Sequence, residues 1–316
     1  MPFYRQKPLV LLFLLLFFPL TLSANSLAVP TSFNEAKLLL REQVYFDQHQ
    51  NGALGTLYCG CNWQWTGSSG GRTQLNSCGY RTRALPQRAQ RIEWEHVVPA
   101  SWLGRQRQCW QQGGRKHCRE HDPLFNLMEA DMHNLSPVIG EVNADRSAFR
   151  FGHAPQTPAM YGRCASRTDF KQRVFQPRPE VRGMVARINF YMHDRYNLSM
   201  SQQQQRLFIQ WHQAYPVSPW ELERDRRIKA VIGHSNPFVT GARHWQLNHK
   251  NSADGLRHMA ANPQSALAPK VKGNRASKIY HLPQCPNYAD VSPRNSVPFK
   301  SEQQARAAGY RKARNC

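Results

Sequence analysis

Residues 93–102 read EWEHVVPASW and place a carboxylate, Glu95, directly beside an imidazole, His96. The flanking tryptophan and valines favour a β-strand, and Pro99 ends it or places it at a sheet edge. Adjacent strand residues face opposite sides, so both groups reach one site only where the strand ends or bulges. The stretch therefore predicts a strand that terminates at a functional site.

Two further elements follow this strand along the chain. MHNLSPV (132–138) predicts a second strand that ends at Pro137. GEVNADRSAF (140–149) predicts a helix that begins at a glycine and carries Asn143. The order is strand, loop, strand, helix, with a polar side chain on the first strand and another on the helix.

The residue types suit hydrolysis of a phosphodiester with the help of a hard cation. Glu95 offers a charged oxygen and Asn143 a neutral one, which leaves positions on an octahedral Mg²⁺ for waters and a phosphate oxygen. His96, when neutral, can take a proton from the attacking water. Arg115 lies in QCWQQGGRKHC, a predicted cysteine-bounded loop, and its planar guanidinium can hold a phosphate oxygen.

Each assignment has a structural alternative. His96 can be a hydrogen-bonded structural histidine, Glu95 can orient it or pair with an arginine, and Arg115 can be a solvated loop charge. Asn134, on the second predicted strand, competes with Asn143 as the amide ligand. Asn143 is favoured because it lies on the helix.

The N-terminal segment predicts export. Arg5 and Lys7 precede an apolar run from Leu9 to about Leu20, and small residues follow, as in a cleavable signal peptide over residues 1–24. The run is shorter than the ~20 residues that span a bilayer, and no later stretch is apolar enough to do so. We expect a periplasmic or secreted monomer with no stable membrane association.

Eight cysteines follow this segment, and an even number in an oxidising compartment predicts disulfides. Cys109 and Cys118 enclose a short loop and make a plausible pair. Four others allow three connectivities, which the sequence leaves open: Cys59, Cys61, Cys78 and Cys164. Zinc is the alternative, but the CGC triplet leaves one residue between its cysteines, and zinc sites usually leave two to four.

The charge balance favours a polyanionic partner. The chain has 42 Lys and Arg against 20 Asp and Glu, a formal charge of +22. Loss of two cations with the signal peptide leaves 40 against 20, or +20. Such an excess favours binding to polyanions, with solubility or adhesion to an anionic envelope as the alternative. Charge alone does not distinguish DNA from RNA or heparin.

Three segments together, EWEHVVPASW, the GGRK loop and DMHNLSPVIGEVNADRSAF, resemble the endonuclease I family of periplasmic and secreted bacterial nucleases. The resemblance covers roughly residues 30–240 and implies a ββα-metal fold. It implies His96 as general base and Arg115 as the phosphate-binding arginine. It also implies Glu95 and Asn143 as ligands of Mg²⁺, with Mn²⁺ or Ca²⁺ as substitutes. The implied activity is cleavage of DNA, and often RNA, with little sequence preference and 5′-phosphate ends.

The last forty or so residues predict a separate small module. SKIYHLPQCPNY and FKSEQQARAAGYRKARNC resemble the zinc-binding module of the Ada DNA-repair protein. His281 and Cys285 match two of the four ligands expected, but Ala313 stands where a cysteine is expected before Cys316. A Cys285–Cys316 disulfide is therefore preferred to zinc. A basic helix here adds nucleic-acid affinity, or is only a solvated face.

The expected fold class is α+β: a helix-rich domain around a ββα-metal nuclease core, stapled by disulfides, plus the small module. The predicted organisation is a signal peptide (1–24), a catalytic domain (25–240), a linker (241–274) and the C-terminal module (275–316). Helices are predicted to start at the caps Ser32, Ser201 and Ser218, and another is predicted over VRGMVARINFYMHDRY.

The leading functional hypothesis is an exported, metal-dependent endonuclease of low sequence specificity. The alternative is a secreted protein that binds DNA or other polyanions and has no catalytic activity. The presence of Glu95, His96 and Asn143 together favours the enzyme, because binding alone requires none of them.

Overall fold

The computed structural model describes residues 1, 29–50, 54–261, 271–299 and 302–316. Apart from Met1, the predicted signal peptide lies outside these residues. Among the helices in the described ranges, none combines the length and the apolar character that crossing a bilayer requires.

Helices make up most of the regular secondary structure up to residue 261. They are α1 (Phe33–Leu39), α2 (Pro86–Ala89), α3 (Ala100–Gly104), α4 (Gln108–His121), α5 (Pro123–Glu129), α6 (Gly140–Arg146), α7 (Arg182–Arg195), α8 (Gln202–Ala214), α9 (Pro219–Ile232), α10 (Pro237–Thr240) and α11 (Asp254–Ala261). The predicted serine caps are confirmed: Ser32, Ser201 and Ser218 each accept a hydrogen bond from a backbone N–H in the first turn of α1, α8 and α9. The helix predicted around residues 181–196 is α7.

The strands are short and form several small sheets, so the predicted α+β class is confirmed. In the helical region they are β1 (Asn62–Thr66), β2 (Gly70–Gln74), β3 (Ile92–His96), β4 (Leu135–Ile139), β5 (Arg150–Phe151), β6 (Arg167–Asp169) and β7 (Val174–Gln176). β1 pairs with β2, β3 pairs with β4, and the third sheet has the order β5-β7-β6.

The unit that positions the site is β3, β4 and α6. β3 and β4 are antiparallel, with Glu95 opposite Ser136, and the chain enters α6 directly at Gly140. A side chain at Gly140 would lie 2.6 Å from the Arg88 carbonyl oxygen and 2.9 Å from Glu93 Oε1, so the close approach requires glycine. The arrangement is the predicted strand-strand-helix order.

The expectation that the second strand ends at Pro137 is wrong. Pro137 lies in the middle of β4, opposite Trp94, and residues 132–134 form a 3-10 turn instead of strand. The Pro137 carbonyl accepts a hydrogen bond from Leu57 N–H at 2.9 Å, on the edge of β4 away from β3. The backbone N and C=O of a strand residue point to the same side, so the Pro137 nitrogen also points away from β3. The N–H that proline lacks would therefore not have bonded to β3, and the β3-β4 pair loses no hydrogen bond.

The segment predicted as a cysteine-bounded loop is helical on both sides of a break. α4 is interrupted at Gly113 and Gly114, and Gly114 has a φ of 63°, which favours glycine. The Cys109–Cys118 disulfide links the two helical pieces across this break. The Gly-Gly pair was therefore a correct signal for a turn, but only for the centre of the segment.

The main core surrounds α7, and all its residues from Gly183 to Asp194 are buried. The buried Arg187 is neutralised by Glu221 of α9 at 2.6 Å, which lets a charged residue lie inside the core. A second apolar cluster joins α1 and α9 to the β3-β4 pair. This cluster fixes α1 next to the end of β3.

All eight cysteines are paired, as predicted, so zinc ligation by free thiolates is not the arrangement adopted. Cys59 bonds to Cys164 and Cys61 to Cys78, which selects one of the three connectivities left open. Cys285 bonds to Cys316.

The C-terminal module contains β8 (Val271–Asn274), β9 (Ile279–His281), β10 (Ser296–Phe299), β11 (Arg311–Lys312) and α12 (Glu302–Ala307). Its sheet has the order β10-β8-β9-β11. Within the range predicted as linker, Trp245 is buried, and His249 and Ser252 bond to Asp194 of α7. Residues 262–270 are not among those described, and the domain boundaries stay a prediction.

Glu141 connects α6 to the loop before α2. Its buried carboxylate accepts hydrogen bonds from the Tyr80 hydroxyl at 2.6 Å and from the backbone N–H groups of residues 83–85. Burial acts to raise the pKa of Glu141, but these hydrogen bonds outweigh it and the pKa lies below the usual 4.5.

We predict that Glu141→Gln lowers the free energy of unfolding at neutral pH by about 2 kcal/mol, because an amide N–H₂ then faces backbone donors. A depressed carboxyl pKa stabilises the fold above the ordinary pKa, and that stabilisation is lost as the pH falls through the folded value. The difference between variant and wild type should therefore narrow below pH 4.5, the usual value. Urea unfolding at several pH values measures it, and a difference independent of pH would contradict this role.

Candidate active site

The four residues predicted for the site line a single cavity of about 700 Å³. Glu95 and His96 come from the end of β3, Arg115 from α4 just after the glycine break, and Asn143 from α6. The sequence patterns therefore converge on one place in the fold.

Asn134 explains how neighbouring strand residues reach one cavity. β3 ends at His96, and Val98 N–H then donates to Asn134 Oδ1 at 2.7 Å while Asn134 Nδ2 donates to Val98 O at 3.0 Å. This amide clamp turns the chain where the strand ends. Asn134 is fully buried and does not line the cavity, whereas its rival Asn143 does.

His96 presents one ring nitrogen for proton transfer. Its Nε2 lies 2.9 Å from the Glu129 carbonyl oxygen, which can only accept, so Nε2 carries the hydrogen of the neutral ring. Nδ1 is then unprotonated and receives no hydrogen bond from any residue in the described ranges. Burial, with repulsion from Arg115, lowers the pKa of His96 to about 4. The imidazole is neutral at neutral pH, as a general base must be.

Glu95 has one oxygen occupied and one available. Oε1 accepts from the Tyr58 hydroxyl at 2.9 Å and lies 3.3 Å from Arg146 Nε. Oε2 accepts no hydrogen bond from the part of the chain that is described. Burial raises the pKa of Glu95 to about 6, and Arg146 and Tyr58 limit the rise. Glu95 thus does pair with an arginine, which was the structural alternative considered above. The pairing involves only Oε1, so Oε2 can still bind a ligand.

Glu93 fixes the orientation of the Asn143 amide. Asn143 Nδ2 donates to Glu93 Oε2 at 2.9 Å, while Arg88 and Arg91 donate to Oε1 at 3.0 and 3.1 Å. Burial acts to raise the pKa of Glu93, but the hydrogen bonds from Arg88 and Asn143 lower it overall. Because Glu93 binds the N–H₂ group of Asn143, Oδ1 points away from Glu93 and is left as an acceptor for a ligand.

The donor set fits a hard divalent cation. No three or more His, Cys, Asp or Glu side chains in the described ranges are grouped to hold a metal ion by themselves. Glu95 Oε2 and Asn143 Oδ1 are two oxygen donors, and Mg²⁺ commonly binds through one or two protein oxygens while keeping waters and substrate phosphate. A closed zinc site would require more and softer ligands.

Arg115 is held by a buried carboxylate. Its Nε donates to Glu129 Oε1 at 2.5 Å, and Arg119 Nε donates to Glu129 Oε2 at 2.7 Å. The Glu129 side chain is 1% exposed, whereas that of Arg115 is 41% exposed. Arg115 is therefore not a freely solvated charge, and its terminal N–H groups remain available to a ligand.

Several residues of this network were not predicted from the sequence. Glu93 precedes Glu95 by two positions in β3, and this period-two spacing was a signal that could have identified it. Glu129 lies 33 positions from His96 and Tyr58 lies 37 positions from Glu95, so no local pattern connects them.

We predict that Glu93→Ala weakens metal binding, because the Asn143 amide loses the acceptor that orients it. Removal of such a supporting contact typically costs 10–100-fold in metal affinity. Isothermal titration with Mn²⁺ measures this directly, and the metal concentration that gives half-maximal nuclease rate should shift in parallel. Unchanged titration would show that Asn143 needs no support from Glu93. Glu223→Ala, which removes a half-buried carboxylate that pairs with Arg226 and Arg227 on α9 and does not line the cavity, is the control.

We predict that the Cys109–Cys118 disulfide maintains nuclease activity, because it links the two helical pieces of α4 and so restrains the piece that carries Arg115. Cys109→Ser/Cys118→Ser should lower the rate on plasmid DNA, and reductant should do the same to wild type. Cys285→Ser/Cys316→Ser, which opens the disulfide of the C-terminal module, is the matched control. Full activity of the reduced protein would refute the prediction.

Comparison with known proteins gives two family matches. The Endonuclease I family model matches residues 32–243, and the ArfC model matches residues 251–312. The C-terminal expectation is corrected here: the match is to ArfC and not to an Ada-type module. Both cysteines of that module are held in a disulfide, which removes the thiolates a zinc site would use.

Curated relatives cover the first of these regions. An extracellular deoxyribonuclease of Aeromonas hydrophila is 50% identical over 185 residues, 58% of this chain and 81% of that protein. Endonuclease-1 of Buchnera aphidicola subsp. Acyrthosiphon pisum is 44% identical over 191 residues, 60% of this chain and 75% of that protein. An extracellular endonuclease of Pseudomonas fluorescens biotype A is 30% identical over 232 residues, 71% and 92% of the two chains.

Proposed function

The chain belongs to the endonuclease I family, and we propose that it is an exported, metal-dependent endonuclease that cleaves DNA and RNA with little sequence preference. The observation that carries the proposal is the convergence of the four predicted site residues on one cavity, each with an unoccupied donor or acceptor atom. The names of the Aeromonas relatives, which are called extracellular or periplasmic deoxyribonucleases, support DNA as a substrate and support export.

In the proposed reaction, His96 Nδ1 takes a proton from a water molecule as its oxygen attacks phosphorus. The Glu129 carbonyl, hydrogen-bonded to Nε2, keeps the ring in the required tautomer and stabilises the imidazolium that forms. The P–O3′ bond breaks, the 3′ oxygen takes up a proton from water, and the phosphate stays bonded to the 5′ oxygen of the downstream fragment. The products are a 5′-phosphate and a 3′-hydroxyl.

Arg115 binds a non-bridging oxygen of the scissile phosphate through its terminal N–H groups, since Glu129 already holds its Nε. Glu95 and Asn143 would hold Mg²⁺ through Oε2 and Oδ1. When bound there, the ion supplies electrostatic stabilisation of the charge that develops on the phosphate oxygens. Tyr58 and Arg146 keep Glu95 ionised and fixed for that role.

The proposal is tested with purified mature protein on supercoiled plasmid, linear DNA and RNA. Each substrate is incubated with Mg²⁺, Mn²⁺, Ca²⁺ or EDTA. Cleavage of all three with Mg²⁺ and none with EDTA is expected. Fragments should be substrates for ligase without prior kinase treatment, because they carry 5′-phosphates. Binding without cleavage under every metal would instead support the polyanion-binding alternative.

We predict that His96→Ala retains the fold and DNA binding but loses at least ~10²-fold in rate, the usual scale for removing a general base. The matched control is His153→Ala, which removes an exposed histidine outside the cavity. Gel-shift binding in EDTA, thermal unfolding and initial cleavage rates are compared. Cleavage by His96→Ala within a few-fold of wild type would assign the proton transfer to another group.

A further inference from the structure

Lys37 places on the cavity wall a cation that the proposed reaction does not use. It follows Phe33 by one helical turn on α1, and both residues line the cavity with His96 and Arg115. Its Nζ lies 4.8 Å from the centroid of the Phe33 ring. The Phe33 ring in turn packs on His96 with centroids 4.7 Å apart.

Three cations surround Phe33 with one carboxylate among them. The guanidinium carbons of Arg115 and Arg119 lie 5.6 and 5.8 Å from the Phe33 ring centroid, and the two arginines share Glu129. No carboxylate in the described ranges lies within ion-pair distance of Lys37 Nζ. The cluster therefore has an excess of two positive charges.

The electrostatics of Lys37 reflect this imbalance. Burial, with repulsion from Arg119 and Arg115, lowers the pKa of Lys37, and attraction to Asp290 and Glu129 only partly opposes the shift. A half-buried cation without a counter-charge is unfavourable unless a ligand supplies one. A nucleic-acid strand carries one phosphate per nucleotide, so a substrate that places one phosphate at Arg115 brings another close by.

We propose that Lys37 binds the substrate phosphate adjacent to the scissile phosphate. This inference rests on the proposed nuclease function and extends it to a second phosphate subsite. Phe33 lies beside all three cations, whose charged groups are 4.8 to 5.8 Å from its ring centroid. The subsite recognises backbone charge and not base identity, which agrees with low sequence preference.

The test uses short oligonucleotides in which a single phosphate is replaced by an uncharged methylphosphonate, with cleavage mapped linkage by linkage. In wild type, the linkage on one side of the neutral group should be cut about tenfold more slowly, because a charge-assisted contact is lost. In Lys37→Gln that additional deficit should disappear, since the contact is already absent. Lys37→Arg should retain it.

Two measurements separate binding from structure. Lys37→Gln should raise KM for unmodified DNA about tenfold while kcat stays unchanged and the unfolding midpoint does not fall. The slope of log Kd against log salt should fall in magnitude by about 1, as expected for one lost phosphate contact. Lys171→Gln, which removes an exposed cation in the turn between β6 and β7, should behave as wild type in both measurements.

A methylphosphonate deficit of the same size in Lys37→Gln and wild type would overturn the subsite. So would an unchanged KM and salt slope. If wild type cleaves no linkage with any metal, the proposed function fails instead, so the two failures are distinguishable.

Discussion

The buried side chain and carbonyl of Glu129 hold two parts of the site together. The carbonyl oxygen accepts the hydrogen bond from His96 Nε2, and the carboxylate accepts from Arg115 and Arg119. Because both groups belong to the last residue of α5, the imidazole and the guanidinium are positioned relative to each other by one backbone unit. Burial acts to raise the pKa of Glu129, but the arginines more than offset it and the pKa lies below the usual value. The hydrogen bonds from Arg115 and Arg119 therefore both stabilise the buried charge of Glu129 and hold Arg115 in the site.

The same pairing of acids with arginines recurs around the cavity. Glu93 faces Arg88 and Arg91, and Glu95 faces Arg146. These pairs keep the carboxylates ionised as acceptors in a buried environment. In the described part of the network the cations outnumber the carboxylates by six to three, counting Arg88, Arg91, Arg115, Arg119, Arg146 and Lys37 against Glu93, Glu95 and Glu129. A surplus of this sign attracts a phosphate backbone and matches the charge of the whole chain.

The sequence predicted those features that local patterns determine. Serine caps located the starts of α8 and α9, and the run EWEHVVP located a strand, although β3 ends at His96 and not at Pro99 as the sequence predicts. The cysteine-bounded segment was misjudged because two glycines outweighed the helix-forming residues on either side. The strand end at Pro137 was predicted wrongly because a strand can contain proline where the proline nitrogen points away from the neighbouring strand. The sequence does not show to which side that nitrogen points. The site residues were predictable as donor types, whereas their supporting partners come from distant segments and required tertiary structure.

The Cys59–Cys164 bond spans 105 positions and encloses both Cys61–Cys78 and Cys109–Cys118. A chain translocated from its N-terminus exposes Cys59, Cys61 and Cys78 long before Cys164 emerges. If oxidation first joined Cys59 to Cys61, both Cys78 and Cys164 would lack their native partners, and native pairing would then need thiol–disulfide exchange. Such reshuffling takes seconds to hours depending on the oxidant and the isomerase. In an oxidising compartment, such exchange would raise the share of chains with the Cys59–Cys164 and Cys61–Cys78 bonds, whereas a strong oxidant alone would leave a Cys59–Cys61 bond in place.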